Sequence, residues 1–154
     1  MLLIILTYLS LFFNTTISYL LCLAFLGVSK PFTKLIFPVL IMASIVFISR
    51  VGFQFPGEIN SLISLTTCLL LVKAFNREVS WLLTALSTLL SLIVLLFGGL
   101  LWPLCYHLFG VYPTKTGPYT WGWLYICLAE AIVPFVVLVI LKIKRISLIK
   151  YLAK

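Results

Sequence analysis

The stretch WGWLYICLAEAIVPFVVLVIL, from Trp121 to Leu141, runs directly into Lys142-Ile143-Lys144-Arg145. An α-helix rises 1.5 Å per residue, so a run of this length spans the ~30 Å hydrocarbon core of a bilayer. Its single Asp, Glu, Lys or Arg is Glu130. The apolar residues form a continuous run without the alternation of a half-buried strand, so a helix is expected rather than a porin-type barrel strand. The stretch reads as a transmembrane helix closed by a basic stop.

Four similar runs precede it, at about 3–28, 34–49, 59–75 and 81–108. Composition agrees: of 154 residues 64% are hydrophobic and only 9% charged, and Glu58, Glu78 and Glu130 are the only acids. The mean hydropathy is +1.27. A soluble domain of this length is nearer a quarter charged, so too few polar side chains are present to cover a water-exposed surface. The expected architecture is all-α: one polytopic membrane helix bundle over 1–154, with about five transmembrane helices and a basic tail at 142–154. At ~20 residues per span the connections are short. That excludes a folded nucleotide- or DNA-binding module, and no nucleic acid partner is expected despite the net charge of +8. The first run lacks a basic n-region and an A-x-A site, so it reads as a retained helix rather than a signal peptide. Asn14-Thr15-Thr16 matches a glycosylation sequon but lies mid-span, out of reach of a transferase. Pro38 predicts a kink in the second run, and Gly98-Gly99 with Pro103 predict a break in the fourth or, equally, a close helix contact.

Orientation follows from the basic residues. Lys30, Lys34, Lys73 and Arg77 lie in the first and third connections, and Lys142, Lys144, Arg145, Lys150 and Lys154 lie in the tail. Only Arg50 and Lys115 fall on the opposite side. The positive-inside rule then places the amino terminus outside and the carboxyl terminus in the cytoplasm of a multi-pass cell-membrane protein. Tyr112, Tyr119, Trp121, Trp123 and Tyr125 supply the aromatic anchors expected at the outer interface. The tail after Leu141 is expected to continue helically. Its Lys142, Lys144, Arg145 and Lys150 are candidates for contact with the anionic membrane surface or a partner, or for a simple stop-transfer role.

Glu130 is the most informative residue. An ionised carboxylate near the bilayer centre costs on the order of ~2.5–3.5 kcal/mol, so it should face the bundle interior and either stay protonated or pair with a base. Arg50 and His107 are its candidate partners, in a ligand-binding or switch cluster. The plainer alternatives are a hydrogen-bonded acid at Glu130, a snorkelling Arg50 and a space-filling His107. Cys22, Cys68, Cys105 and Cys127 occur without a CxxC pair and read as small buried hydrophobes. Cys105 and His107 are two apart and diverge on a helix, and no HExxH or GxSxG motif occurs. No catalytic residues, metal or cofactor are therefore expected.

The segment Ile45-Val46-Phe47-Ile48-Ser49-Arg50, then Phe55-Pro56-Gly57, then an apolar span ending in a basic turn, carries a resemblance. So does its continuation through Leu108-Phe109-Gly110 to a final span with a basic exit. About 34–144 resembles the small multi-helix membrane regions that precede Firmicutes sensor histidine-kinase domains, or that stand alone as membrane proteins. The resemblance implies a sensory or regulatory membrane module ending in the cytoplasm. With no kinase domain after the last span, output is expected to pass to a cytoplasmic or membrane signalling partner. The function expected is therefore non-enzymatic. A small proton-coupled transporter, or a subunit of one, using Glu130 is the alternative. Besides the lipid bilayer and that partner, a second copy of the chain is a candidate neighbour.

Overall fold

The computed structural model describes residues 2–55, 57–109 and 121–148, with side chains over the same ranges except 57–58, 101–109 and 121–125. It is all-helical, with no strand among the described residues. Five helices follow one another: α1 (Leu2–Leu26), α2 (Phe32–Phe47), α3 (Gly57–Phe75), α4 (Trp81–Phe109) and α5 (Trp121–Lys144). Four segments are long and apolar enough to cross a membrane, at Leu2–Leu26, Phe32–Gly52, Trp81–Leu100 and Ile126–Lys144; the apolar part of α3, Ile59–Phe75, is shorter.

The bundle has its polarity turned outward-in relative to a soluble protein. Leu62, Leu82, Ile93, Phe97, Leu100 and Ile132 are exposed, whereas Thr7, Thr84, Ser87, Thr88, Ser91 and Asn76 are almost fully buried. A water-soluble chain would not leave so much apolar surface uncovered; lipid accepts it at no cost. Small and hydroxylated side chains inside let the helix backbones approach.

α1 touches every other helix, while α2, α3 and α4 each touch the next in chain order. Side-chain pairs give the directions. Tyr8 Oη lies 3.2 Å from Ser44 Oγ, and Ser91 Oγ donates to Ser18 O at 3.1 Å, so α1 runs antiparallel to α2 and α4. Asn14 meets Cys127 and Gly27 meets Ser147, so α1 and α5 are parallel. Lys30, Lys73, Arg77, Lys142, Lys144 and Arg145 consequently gather at one end of the bundle. Lys30 Nζ donates to Phe75 O at 2.5 Å there, tying the first connection to the end of α3. The third connection is ordered by Ser80, whose Oγ accepts from Leu83 N at 3.3 Å as an α4 N-cap. Lys73 Nζ donates to Arg77 O at 2.9 Å and sits 5.6 Å from the Trp81 ring centroid.

Three expectations are corrected. The second run does not stop at Ser49: α2 continues through a π-helical turn, Ile48–Gly52, closed by Phe53 N donating to Ile48 O at 2.9 Å. Arg50 is therefore part of the helical segment rather than of a loop. The fourth run does not break at Gly98-Gly99 or Pro103; α4 is continuous to Phe109. In a bilayer, an interrupted helix would leave backbone groups without partners, which favours continuity. The tail does not continue α5 without a break: the helix ends at Lys144, three residues into the tail, and 145–147 interrupt it, while 149–154 lie outside the described residues. Arg145 adopts a left-handed φ of 51°, and Ile146 N donates back to Leu141 O at 3.2 Å. This is a Schellman-type end with an arginine where glycine is favoured, a conformation costing a non-glycine residue about 1–2 kcal/mol.

α1 ends in the same manner. Gly27 has φ 74°, with Gly27 N donating to Ala24 O and Val28 N to Leu23 O, both at 3.0 Å. The two turns pack together: a Cβ on Gly27 would lie 2.6 Å from Ser147 Cβ.

Candidate functional site

Polar residues on α1, α3 and α4 recur at helical spacing, and the fold turns them toward one another. At the level of Cys22, its Sγ lies 3.1 Å from Ser87 Oγ and 3.5 Å from Thr88 Oγ1. Thr88 in turn donates to Thr84 O at 2.7 Å and Ser87 to Thr84 O at 2.9 Å. These hydroxyls satisfy their own helix and cross-link α1 to α4. Cys22, Cys68 and Cys127 are buried free thiols. This packed layer lies along α1 between Ser18 and the end of the bundle that carries the basic residues.

Beyond it the bundle opens into a cavity of about 310 Å³ bordered by all five helical segments. Its polar lining includes Asn14 and Ser18 of α1, Arg50 of the π-helical turn, Asn60 and Ser64 of α3, and Glu130 of α5. Val46, Leu92, Leu95 and Leu96 form apolar wall. The size is at the lower end of small-ligand pockets, about 300–1,000 Å³.

Each polar group has a local reason for its position. The π-turn adds a residue to the helical winding and carries Arg50 to the cavity border; such bulges recur at functional sites. Arg50 and Glu130 border the same cavity from different helical segments. Asn14 Nδ2 donates to Cys127 O at 2.8 Å, locking α1 to α5 one turn before Glu130. The Asn14 Oδ1 atom is buried without a hydrogen-bond partner. Asn60 Nδ2 donates to Phe55 O at 2.5 Å, fastening the start of α3 to the connection after the π-turn.

Glu130 is also held through its backbone. Pro134, four residues later in α5, has no N–H to give to Glu130 O. Gly98 of α4 packs against that carbonyl: a Cβ at Gly98 would stand 2.5 Å from Glu130 O and 3.3 Å from Pro134 Cδ. The next residue, Gly99, has no atom within 4 Å of an ideal Cβ and borders the cavity. The two adjacent glycines thus serve different purposes, one helix contact and one open space.

The sequence singled out Arg50, Glu130 and His107. The fold brings Arg50 and Glu130 to one cavity; the side chain of His107, like that of Cys105 and the position of Lys150, lies outside the described residues. Asn14, Ser18, Asn60 and Ser64 were not singled out. Their signal was present in the spacing Thr7, Ser10, Asn14, Ser18 on one run and Asn60, Ser61, Ser64 on another, a three-to-four residue period of polar side chains in apolar surroundings. Among the described residues no group of three or more His, Cys, Asp or Glu side chains gathers for a metal.

Compared with protein families, curated proteins and solved structures, the chain matches none.

Proposed function

We infer that the protein is a membrane sensory or regulatory module whose ligand occupies the cavity between Arg50 and Glu130, and which ends in the cytoplasm. The observation that carries this reading is one cavity, bordered by all five helical segments, holding an acid, a base and a buried acceptor without a partner, Asn14 Oδ1. A ligand binding there touches every helix at once, and one that fits one packing of the helices better than another shifts the balance between them. The polar set suits a small amphiphile with N–H donors for Glu130 and Asn14 and an acceptor for Arg50, on an apolar body; a short peptide has these groups. The segregated basic end supports the orientation with that end in the cytoplasm.

The test is Glu130→Gln in the native host. It is expected to insert at wild-type level yet leave the transcript profile of a deletion strain uncorrected. Full correction by the variant would remove Glu130 from the mechanism. A photocrosslinker replacing Tyr151 identifies the output: a dominant signalling protein supports regulation.

A second reading, a proton-coupled transporter or transporter subunit, is favoured by the carboxyl of Glu130 at a polar cavity within the membrane span. It predicts proton uptake into proteoliposomes, lost in Glu130→Gln. Uptake that persists in the variant counts against that mechanism.

A further inference from the structure

A second cavity, of about 520 Å³, lies at the opposite, basic end, between the ends of α1 and α5. Ser29 and Lys30 border it from the first connection, and Lys142, Arg145 and Ser147 from the end of α5. Behind them Leu23, Leu35 and Leu141 form an apolar floor, and no acid among the described residues lines it. We propose that this cavity is a binding site for a phosphate-bearing anion, the headgroup of an anionic phospholipid such as phosphatidylglycerol.

Three cationic residues from two chain segments border one concavity, and a phosphodiester there relieves the repulsion among their charges. Lys30 uses one of its three N–H donors on Phe75 O, which fixes its stem and leaves further donors for a second acceptor. Ser29 and Ser147 add hydroxyl donors. Arg145 sits in a left-handed turn where glycine is favoured, so a guanidinium stands at this mouth in spite of its backbone. The turn holds its place because Gly27 has no side chain to meet Ser147. The apolar floor distinguishes lipid from a soluble phosphate: basic pockets between transmembrane helices take headgroups, with the acyl chains against hydrocarbon surface. This site is independent of the cavity at Glu130.

The test is native mass spectrometry of the full chain in mild detergent, titrated with dioleoyl phosphatidylglycerol, dioleoyl phosphatidylcholine or inorganic phosphate. The wild type is expected to retain phosphatidylglycerol over phosphatidylcholine. The pair Lys142→Gln/Arg145→Gln is expected to weaken that retention roughly tenfold or more. Arg145→Gly, which suits the left-handed turn and so preserves folding, should weaken it several-fold by itself. The charge-matched control Lys34→Gln/Lys144→Gln, at positions that do not border the cavity, should stay within about twofold of wild type. Equal loss in the control pair would overturn the site in favour of diffuse attraction, as would equal retention of phosphatidylcholine or an unaltered Arg145→Gly. Displacement of the lipid by millimolar inorganic phosphate would overturn the lipid assignment and give the cavity to a soluble phosphate.

Discussion

Gly98→Ala is expected to separate α4 from α5 and to lower stability by about 1–3 kcal/mol, the usual cost of forcing a methyl group into a packed contact. The new Cβ would stand 2.5 Å from Glu130 O. That oxygen belongs to a helix backbone and cannot rotate away as a side chain does. The second neighbour, Pro134 Cδ at 3.3 Å, is part of a rigid ring. Relief therefore requires a shift of one helix, and the shift moves Glu130 relative to the cavity. Gly99→Ala provides the control, because nothing lies within 4 Å of its Cβ. Both substitutions gain helix propensity of up to ~1 kcal/mol, so the difference between them isolates the clash. Equilibrium unfolding of both variants in mild detergent is the measurement. Equal midpoints would show that α4 and α5 do not meet at Gly98.

The second large effect is expected at Gly27→Ala. Two costs combine there: a left-handed φ of 74°, which disfavours any side chain by about 1–2 kcal/mol, and a Cβ placed 2.6 Å from Ser147 Cβ and 2.7 Å from Ser147 Oγ. The segment after Arg145 should come away from α1, making the bonds after Lys144 and Arg145 more readily cut by trypsin. Ser147→Gly in the Gly27→Ala background should recover the part lost to the clash and none of that lost to φ. A double-mutant cycle on unfolding midpoints separates the two. Additive effects with unaltered trypsin cleavage would mean that the two helix ends do not dock. Because this contact holds Arg145 at the second cavity, Gly27→Ala should also weaken phosphatidylglycerol retention.

Five helices were legible in the chain because each is a long apolar run, and transfer of a ~20-residue window into hydrocarbon depends on its own composition. Their ends were less legible. The π-turn at Ile48–Gly52 carries no residue pattern that distinguishes it from a loop opening at Arg50 and Gly52. The continuity of α4 contradicts what Gly98, Gly99 and Pro103 imply in water, since no solvent is present in a bilayer to accept broken backbone bonds. Arg145 ends α5 although arginine propagates helices well; docking of Ser147 on Gly27 accompanies that turn, and Gly27 is more than a hundred residues away in sequence.

Glu130 and Arg50 could be picked out individually because a charge is costly within or beside an apolar run wherever the rest of the protein lies. Their placement at one cavity with Asn14, Ser18, Asn60 and Ser64 could not, since it depends on how each helix is rotated about its axis. Rotation is decided by contacts such as Asn14 with Cys127, Ser18 with Ser91 and Gly98 with Glu130 O. The polar stripes on α1 and α3 mark an inward face in the sequence, but the low amphipathicity of the other runs leaves their rotation to those contacts. By itself, then, the sequence determined that the chain forms apolar helices with a segregated charge distribution, because hydrophobicity and charge act along the chain segment by segment. Only the tertiary structure decided which polar side chains share a cavity, because that depends on packing between segments remote in sequence.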